Sequence, residues 1–354
     1  MTYQAQLFFH PLEFSFKAGT SRGFLSEKPS WFLKLTDGEK TGWGEVSLIP
    51  NLHPETPGDI NSLFQQHLKS WKEKGPEVLN DIPENVPAFR FGWEQAIADL
   101  KSAEGFKIYD NGFSGGERAI PINGLIWMGT QQEMLDQVHK KVGEGFFCIK
   151  MKIGALDFEE EIELLRAIRE HYPAETTELR VDANGAFPPD EAHNKLERLA
   201  EFNLHSIEQP VIPDHKEALR SLAETSSAPL ALDESLIGLH AYQDKKVLLQ
   251  NLRPPFIVLK PSLTGGLYGT KEWINLAEEM GIGWWITSAL ESNIGLNAIA
   301  QFTAEYDIRM PQGLGTGRLF TNNITAPLSI SNGNLHYNPK ESWDLSGLSG
   351  KEMN

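Results

Sequence analysis

Only one cysteine, Cys148, occurs in 354 residues, so no intrachain disulfide can form and a reducing compartment is expected. Basic residues are scarce as well. Against 48 Asp and Glu stand 32 Lys and Arg, leaving a net charge of −16, and this lacks the basic footprint that nucleic acid or an anionic membrane requires. No apolar run approaches the ~20 residues that span a bilayer. The start, Met1-Thr2-Tyr3-Gln4-Ala5-Gln6-Leu7-Phe8, has neither the basic head nor the long apolar core of a signal peptide. A cytoplasmic location is therefore expected. No His/Cys cluster has zinc-site spacing, and no low-complexity linker divides the chain. What is present, 40% hydrophobic and 23% charged residues, is the composition of an ordinary globular protein, long enough for two domains.

Two patterns divide the chain. Residues 1–116 run strands first and helices second. Trp31 to Val46 reads as a hairpin with Asp37-Gly38 near its turn. Helical stretches follow over about Pro57 to Lys74 and Ala88 to Ser102, the second with Phe91, Ala96, Ile97 and Leu100 at helical spacing. That order predicts a separate α+β domain. Over residues 117–322 strands and helices alternate. Ile120-Pro121-Ile122-Asn123-Gly124 is expected as a first strand, and later ones end at Lys152, Asp182, Glu208, Asp233 and Lys260. Gly283 to Ser288 supplies a seventh, and a weak eighth falls near Pro311 to Gly315. Helices are expected over Phe158 to His171, Trp273 to Met280 and Leu296 to Tyr306. Residues 323–354 hold a last hairpin, Leu328 to Tyr337, expected to return to the first domain because a finished barrel has no edge to accept it.

Successive apolar runs end in charge. They are Cys148-Ile149-Lys150-Met151-Lys152, Leu179-Arg180-Val181-Asp182-Ala183-Asn184, Ser206-Ile207-Glu208-Gln209-Pro210, Ala231-Leu232-Asp233-Glu234-Ser235 and Ile257-Val258-Leu259-Lys260-Pro261. Their spacing of about 25 to 30 residues is that of β/α units, whose C-terminal strand ends build barrel active sites. Period two puts Lys150 with Lys152, and Arg180 with Asp182 and Asn184, while Ile149, Met151, Val181 and Ala183 face the helices. Charges inside a barrel are costly unless they pair or bind metal. Singly, Asp182 is a cap or turn former, Glu208 an ion-pair partner, Asp233-Glu234-Ser235 a helix start and Lys260 a solvated strand end. Three acids on consecutive strand ends point instead to a divalent cation with oxygen ligands, which suits Mg²⁺. Strands two and six lie opposite each other, so Lys152 and Lys260 flank the acids. An amine near a cation in a partly dry pocket is expected to have a depressed pKa and to work as a base. The proton in view is one α to a carboxylate, with the cation stabilising the enediolate. Lys150 reads as a salt-bridge partner, and Cys148 as a small barrel-layer filler.

On these residues the chain resembles the enolase superfamily, in the subgroup related to muconate-lactonizing enzyme, and within it the o-succinylbenzoate synthases of menaquinone biosynthesis. The matching elements are Lys150-x-Lys152, Val-Asp182-Ala-Asn, Ile-Glu208-Gln-Pro, Leu-Asp233-Glu-Ser and Leu-Lys260-Pro-Ser. The resemblance covers nearly the whole chain. It implies an α/β fold, a (β/α)7β modified TIM barrel with an N-terminal α+β capping domain completed by the C-terminal tail. It also implies Asp182, Glu208 and Asp233 as Mg²⁺ ligands. Lys152 becomes the base that takes the α-proton and then protonates the leaving hydroxyl. Lys260, on the other face, becomes the group that stabilises the enediolate by charge and cation–π contact. The implied reaction is syn dehydration of 2-succinyl-6-hydroxy-2,4-cyclohexadiene-1-carboxylate to o-succinylbenzoate.

Substrate contacts are expected from Lys150, Arg180, Asn184 and the loop residue Arg22. Ser262, Ser288, Leu290 and Glu291 follow strands six and seven as further candidates, and Gly313 and Gly315 line the eighth. Gly42 to Pro50 with His53-Pro54-Glu55-Thr56 is similar to the synthases' capping loop, with His-Pro where they usually have Ser-Pro. Two bases on opposite faces also suit racemisation, so an N-acylamino acid racemase or dipeptide epimerase is the competing reading, and a cycloisomerase is a third. Dipeptide epimerases usually carry Asp-x-Asp where this chain has Gly313-Leu314-Gly315, which counts against a substrate with an amino-terminal cation. Mandelate-racemase-like chemistry wants a His–Asp pair on strands six and seven, and Lys260 occupies the first of those places. A barrel that binds metal without catalysis has no use for both lysines. The expected partner is a small carboxylate, and oligomeric state is left undetermined.

Overall fold

Seven parallel strands follow one another in chain order around a barrel. The computed structural model describes residues 2–20 and 23–353. The strands are Gly124–Ile126, Cys148–Lys152, Glu178–Asp182, Ser206–Glu208, Leu230–Leu232, Phe256–Leu259 and Gly283–Ile286. A two-residue eighth closes the ring through parallel bridges Ile122↔Gln312 and Thr287↔Gly313. Asn123 N donates to Gln312 O at 2.9 Å and Gly313 N to Ile286 O at 2.8 Å. Outward-facing Ile149, Met151, Val181, Ile207, Leu232 and Ile257 share one core with helix residues such as Ile162, Leu165, Leu196 and Trp273. Ala231, Val258 and Trp285 form a separate apolar cluster. Among the described residues no helix is long and apolar enough to cross a membrane.

Three expectations change. The first barrel strand is Gly124–Ile126, because Ile120–Pro121 pairs instead with Asn334–Tyr337 of the last hairpin. Pro121 has no N–H to give a central strand, so an edge pairing suits it. The hairpin therefore docks at the foot of the first barrel strand and not on the capping domain. The segments either side of it do reach that domain: Ser15 N donates to Leu319 O at 2.8 Å and Met353 N to Leu7 O at 2.8 Å. Finally, the helix expected from Trp273 starts seven residues earlier and spans Gly266–Met280, entered through left-handed Gly265.

The capping domain packs the antiparallel sheet Gln4–Phe9, Ser30–Thr36 and Thr41–Ser47 against helices Pro57–Lys74 and Pro87–Lys101. Gly44 and Gly92 let strand and helix touch, since a Cβ on Gly44 would lie 2.0 Å from Gly92 O. Two of this domain's carboxylates serve barrel helices across the seam. Glu94 accepts from Leu267 N at 2.5 Å and Tyr268 N at 3.3 Å, at the start of Gly266–Met280. Glu45 accepts from Ser292 N at 2.9 Å and Gly295 N at 3.0 Å, at the start of Asn293–Thr303. These satisfy amides that a helix N-terminus leaves without an intrahelical partner. The ammonium of Lys28, fully buried, donates to Ser30 Oγ at 3.2 Å and to Ser47 Oγ.

Candidate active site

Register brings the charges together. Lys152 pairs with Asp182 across strands two and three, and Asp182 with Glu208 across strands three and four. Glu208 lies level with Ala231, so Asp233 projects two residues further along strand five. All three acids are at most 2% exposed. Lys150 Nζ lies 2.6 Å from Glu208 Oε1 and 3.1 Å from Asp182 Oδ2. Lys152 Nζ lies 3.3 Å from Asp182 Oδ2 and also donates to Asn184 Oδ1. Across the site, Lys260 donates to Asp233.

Burial works against every one of these charges, and their neighbours decide the outcome. Burial disfavours the charged form of Lys150, but Asp182, Glu208 and Asp233 together hold its amine above the ordinary lysine value. Lys260 is likewise raised against burial, chiefly by Asp233 and Glu234. For Lys260 this direction is the opposite of the depression expected beside a bound cation. Asp182 is held well below its usual range despite burial, by Lys150, Lys152 and Lys260. Glu208 is pushed well above its range by burial and by repulsion from Asp182, with Asp233 adding to it.

Among the described residues no three acid, histidine or cysteine side chains form a ready-made ligand group. The lysine ammonium groups pair with the acids instead. The donor set still fits a hard cation. It consists of carboxylates alone, they repel one another at Glu208, and buried Glu208 Oε2 accepts no hydrogen bond although it stands 2.6 Å from Lys150 Nζ.

A cavity of about 480 Å³ opens over these residues, between the barrel mouth and the capping domain, a size usual for small-molecule sites. Lys150, Lys152, Asp182, Asn184 and Lys260 line it, with Ser288, Leu290, Gly313 and Gly315. The capping domain adds Phe16, Leu25 and residues 49–52. Leu290 is held at φ +63°, an uncommon conformation for a side chain of this kind. Gly313 is forced by packing, since a Cβ there would meet Thr287 Oγ1 at 2.1 Å. Gly315 is not, since its Cβ would find no atom nearer than 3.6 Å.

Other expected contacts lie elsewhere. Arg180 shares the inward face of its strand but sits one layer down. There it donates to Glu178 at 2.7 Å and to Pro311 O at 2.9 Å, and stacks 4.4 Å from the Trp285 ring centre. Cys148, level with Glu178 on the neighbouring strand, donates to it. Ser262 and Glu291 do not line the cavity: Ser262 donates to Glu291 at 2.6 Å, and both are fully buried. Burial raises the Glu291 carboxyl. His53, at the departure from the family's Ser-Pro, lies 3.4 Å from Ser262 Oγ and is lowered to about 3 by burial, so it is neutral. Arg22 lies outside the described residues. Glu234, a helix start by its sequence, lines the cavity and accepts from Asn184 Nδ2 at 3.0 Å. Its place after a strand-end acid was the available signal.

A capped barrel with acids on three successive strand ends and lysines on either side defines the enolase type of enzyme. Residues 133–341 match the family described as "Enolase C-terminal domain-like", and residues 3–100 match "MenC, N-terminal domain". The chain is 45% identical to the o-succinylbenzoate synthase of Desulfotalea psychrophila, over 92% of its own length and 96% of the relative's. The crystal structure of MenC from that organism superposes with a TM-score of 0.81 at 39% identity, covering 95% of this chain and all of that one. A dipeptide epimerase from Cytophaga hutchinsonii, complexed with Mg and the dipeptide D-Ala-L-Val, superposes with a TM-score of 0.85 at 21% identity, over 100% of this chain and 99% of that one, a likeness of fold. The chain belongs to the o-succinylbenzoate synthase family of the enolase superfamily, whose members are generally metal-dependent.

Proposed function

We propose that the chain is a Mg²⁺-dependent o-succinylbenzoate synthase, removing water from 2-succinyl-6-hydroxy-2,4-cyclohexadiene-1-carboxylate to leave an aromatic dicarboxylate. The observation that carries this is that Lys152 and Lys260, both lining one cavity, stand against different acids, Asp182 and Asp233. Identity to the Desulfotalea synthase supports the choice of substrate. Asp182, Glu208 and Asp233 would hold the cation, which when bound draws charge from the substrate carboxylate and so acidifies the neighbouring C–H.

Lys152 takes the α-proton and returns a proton to the departing hydroxyl on the same face. The C–H and C–O bonds break, water leaves, and the ring becomes aromatic, so the elimination is syn. Lys260, approaching from the other side, offsets the negative charge as it builds. Lys150 favours the ionised form of Asp182 and pulls against the rise at Glu208, and it holds both carboxylates in place. Buried Cys148 is consistent with a cytoplasmic setting.

The test is incubation with the diene and Mg²⁺, following the ultraviolet change as the ring aromatises. Lys152→Ala should lower the rate by about a thousandfold or more. A silent diene assay beside racemisation of N-succinylamino acids would replace this reading with that of an N-acylamino acid racemase.

A further inference from the structure

Two side chains that line the cavity, Asn184 and Glu234, have no role in the dehydration above. Lys152 donates to Asn184 Oδ1, Asn184 Nδ2 donates to Glu234 Oε1 at 3.0 Å, and Asn184 N donates to Asp182 Oδ1 at 3.1 Å. Glu234 Oε1 accepts from the amide's NH₂ end, which leaves Oδ1 to face the Lys152 donor. The backbone at Asn184 is left-handed, φ +45°, a conformation asparagine tolerates better than most residues. Side chain and backbone are thus both committed to one orientation. Asp182 alone gives Lys152 a single anchor at 3.3 Å, and a lysine's long stem has rotamer freedom to restrain. Asn184 supplies a second anchor without placing another full charge beside the amine.

We infer that Asn184, held by Glu234, is a positioning residue that sets the direction of the Lys152 amine, and not a substrate contact. This rests on the reading of Lys152 as the base. A misplacement of about 1 Å in a reacting group costs about a hundredfold in rate, so the effect belongs in kcat.

Three variants test it: Glu234→Gln, Asn184→Asp, and the two together. Glu234→Gln lets the Asn184 amide turn and oppose two donors at Lys152. Asn184→Asp sets two carboxylates against each other. The double variant exchanges donor and acceptor and restores the line at unchanged net charge. Each single change should lower kcat for the diene by about tenfold or more with KM within about twofold. Mg²⁺ affinity by calorimetry should be unchanged, and the double variant should exceed either single in kcat. Three results would overturn the inference: single variants at wild-type kcat, a double variant at the product of the single losses, or Mg²⁺ affinity falling in step with kcat. Wild-type inactivity on the diene would defeat the functional reading itself, whereas an active wild type with indifferent variants defeats this inference alone.

Discussion

Replacing Glu94 by glutamine should protect the protein against unfolding at pH 8 by more than it does at pH 4.5. Glu94 lies in the seam between the domains with its side chain 10% exposed. Burial lifts its carboxyl from 4.5 to about 7, although Arg90 and the amides of Tyr268 and Leu267 pull it down. At about 1.4 kcal/mol per pH unit, carrying the ionised form costs the folded state about 3 kcal/mol. For an acid whose folded pKa lies above its unfolded one, that cost is absent below 4.5. It grows as pH rises to about 7 and is complete above. Glutamine keeps an acceptor for the helix amides and never ionises. The assay is urea unfolding of both proteins from pH 4.5 to 8, read as the difference between them, so that the other carboxylates cancel. The gap should widen in favour of the variant by about 3 kcal/mol over that span. A gap that stays constant, or widens on acidification, would refute the reasoning.

Asp233→Asn should weaken Mg²⁺ affinity and activity together by at least about tenfold; magnesium dependence identical to wild type would remove Asp233 from the ligand set. Arg180→Met should cost about 3 kcal/mol of stability by stranding Glu178, with KM unchanged for surviving folded enzyme; a raised KM at normal stability would restore the substrate-contact reading. Gly44→Ala should destabilise by at least about 1–3 kcal/mol, because its Cβ falls on the Gly92 carbonyl. A wild-type melting temperature would show that helix and strand can part there at no cost.

The charged strand ends were legible because alternation and a repeating β/α length act together: Lys152, Asp182 and Glu208 could be placed side by side from spacing alone, and the register agrees. Alternation reports which face a residue occupies but not its depth in the barrel. Arg180 and Asn184 share a face, yet one lies in the lower layer against Trp285 and the other in the cavity. The first strand was misplaced because Ile120-Pro121 reads as strand whichever neighbour it has, and only the tertiary structure reveals that the neighbour is the last hairpin. The short eighth strand depends on bridges at Gln312 and Gly313, too few residues for a period to register. Ser262 and Glu291 follow strand ends and so suggest substrate contacts by sequence, whereas in the structure they are buried and hydrogen-bonded to each other.

Glu45 and Glu94 terminate helices that belong to the other domain. A rigid swing of the capping domain away from the barrel would strip two helix ends of their acceptors and bare two carboxylates. Several unfavourable exposures would come due at once. The contacts that cap these helix ends therefore also oppose any separation of the two domains.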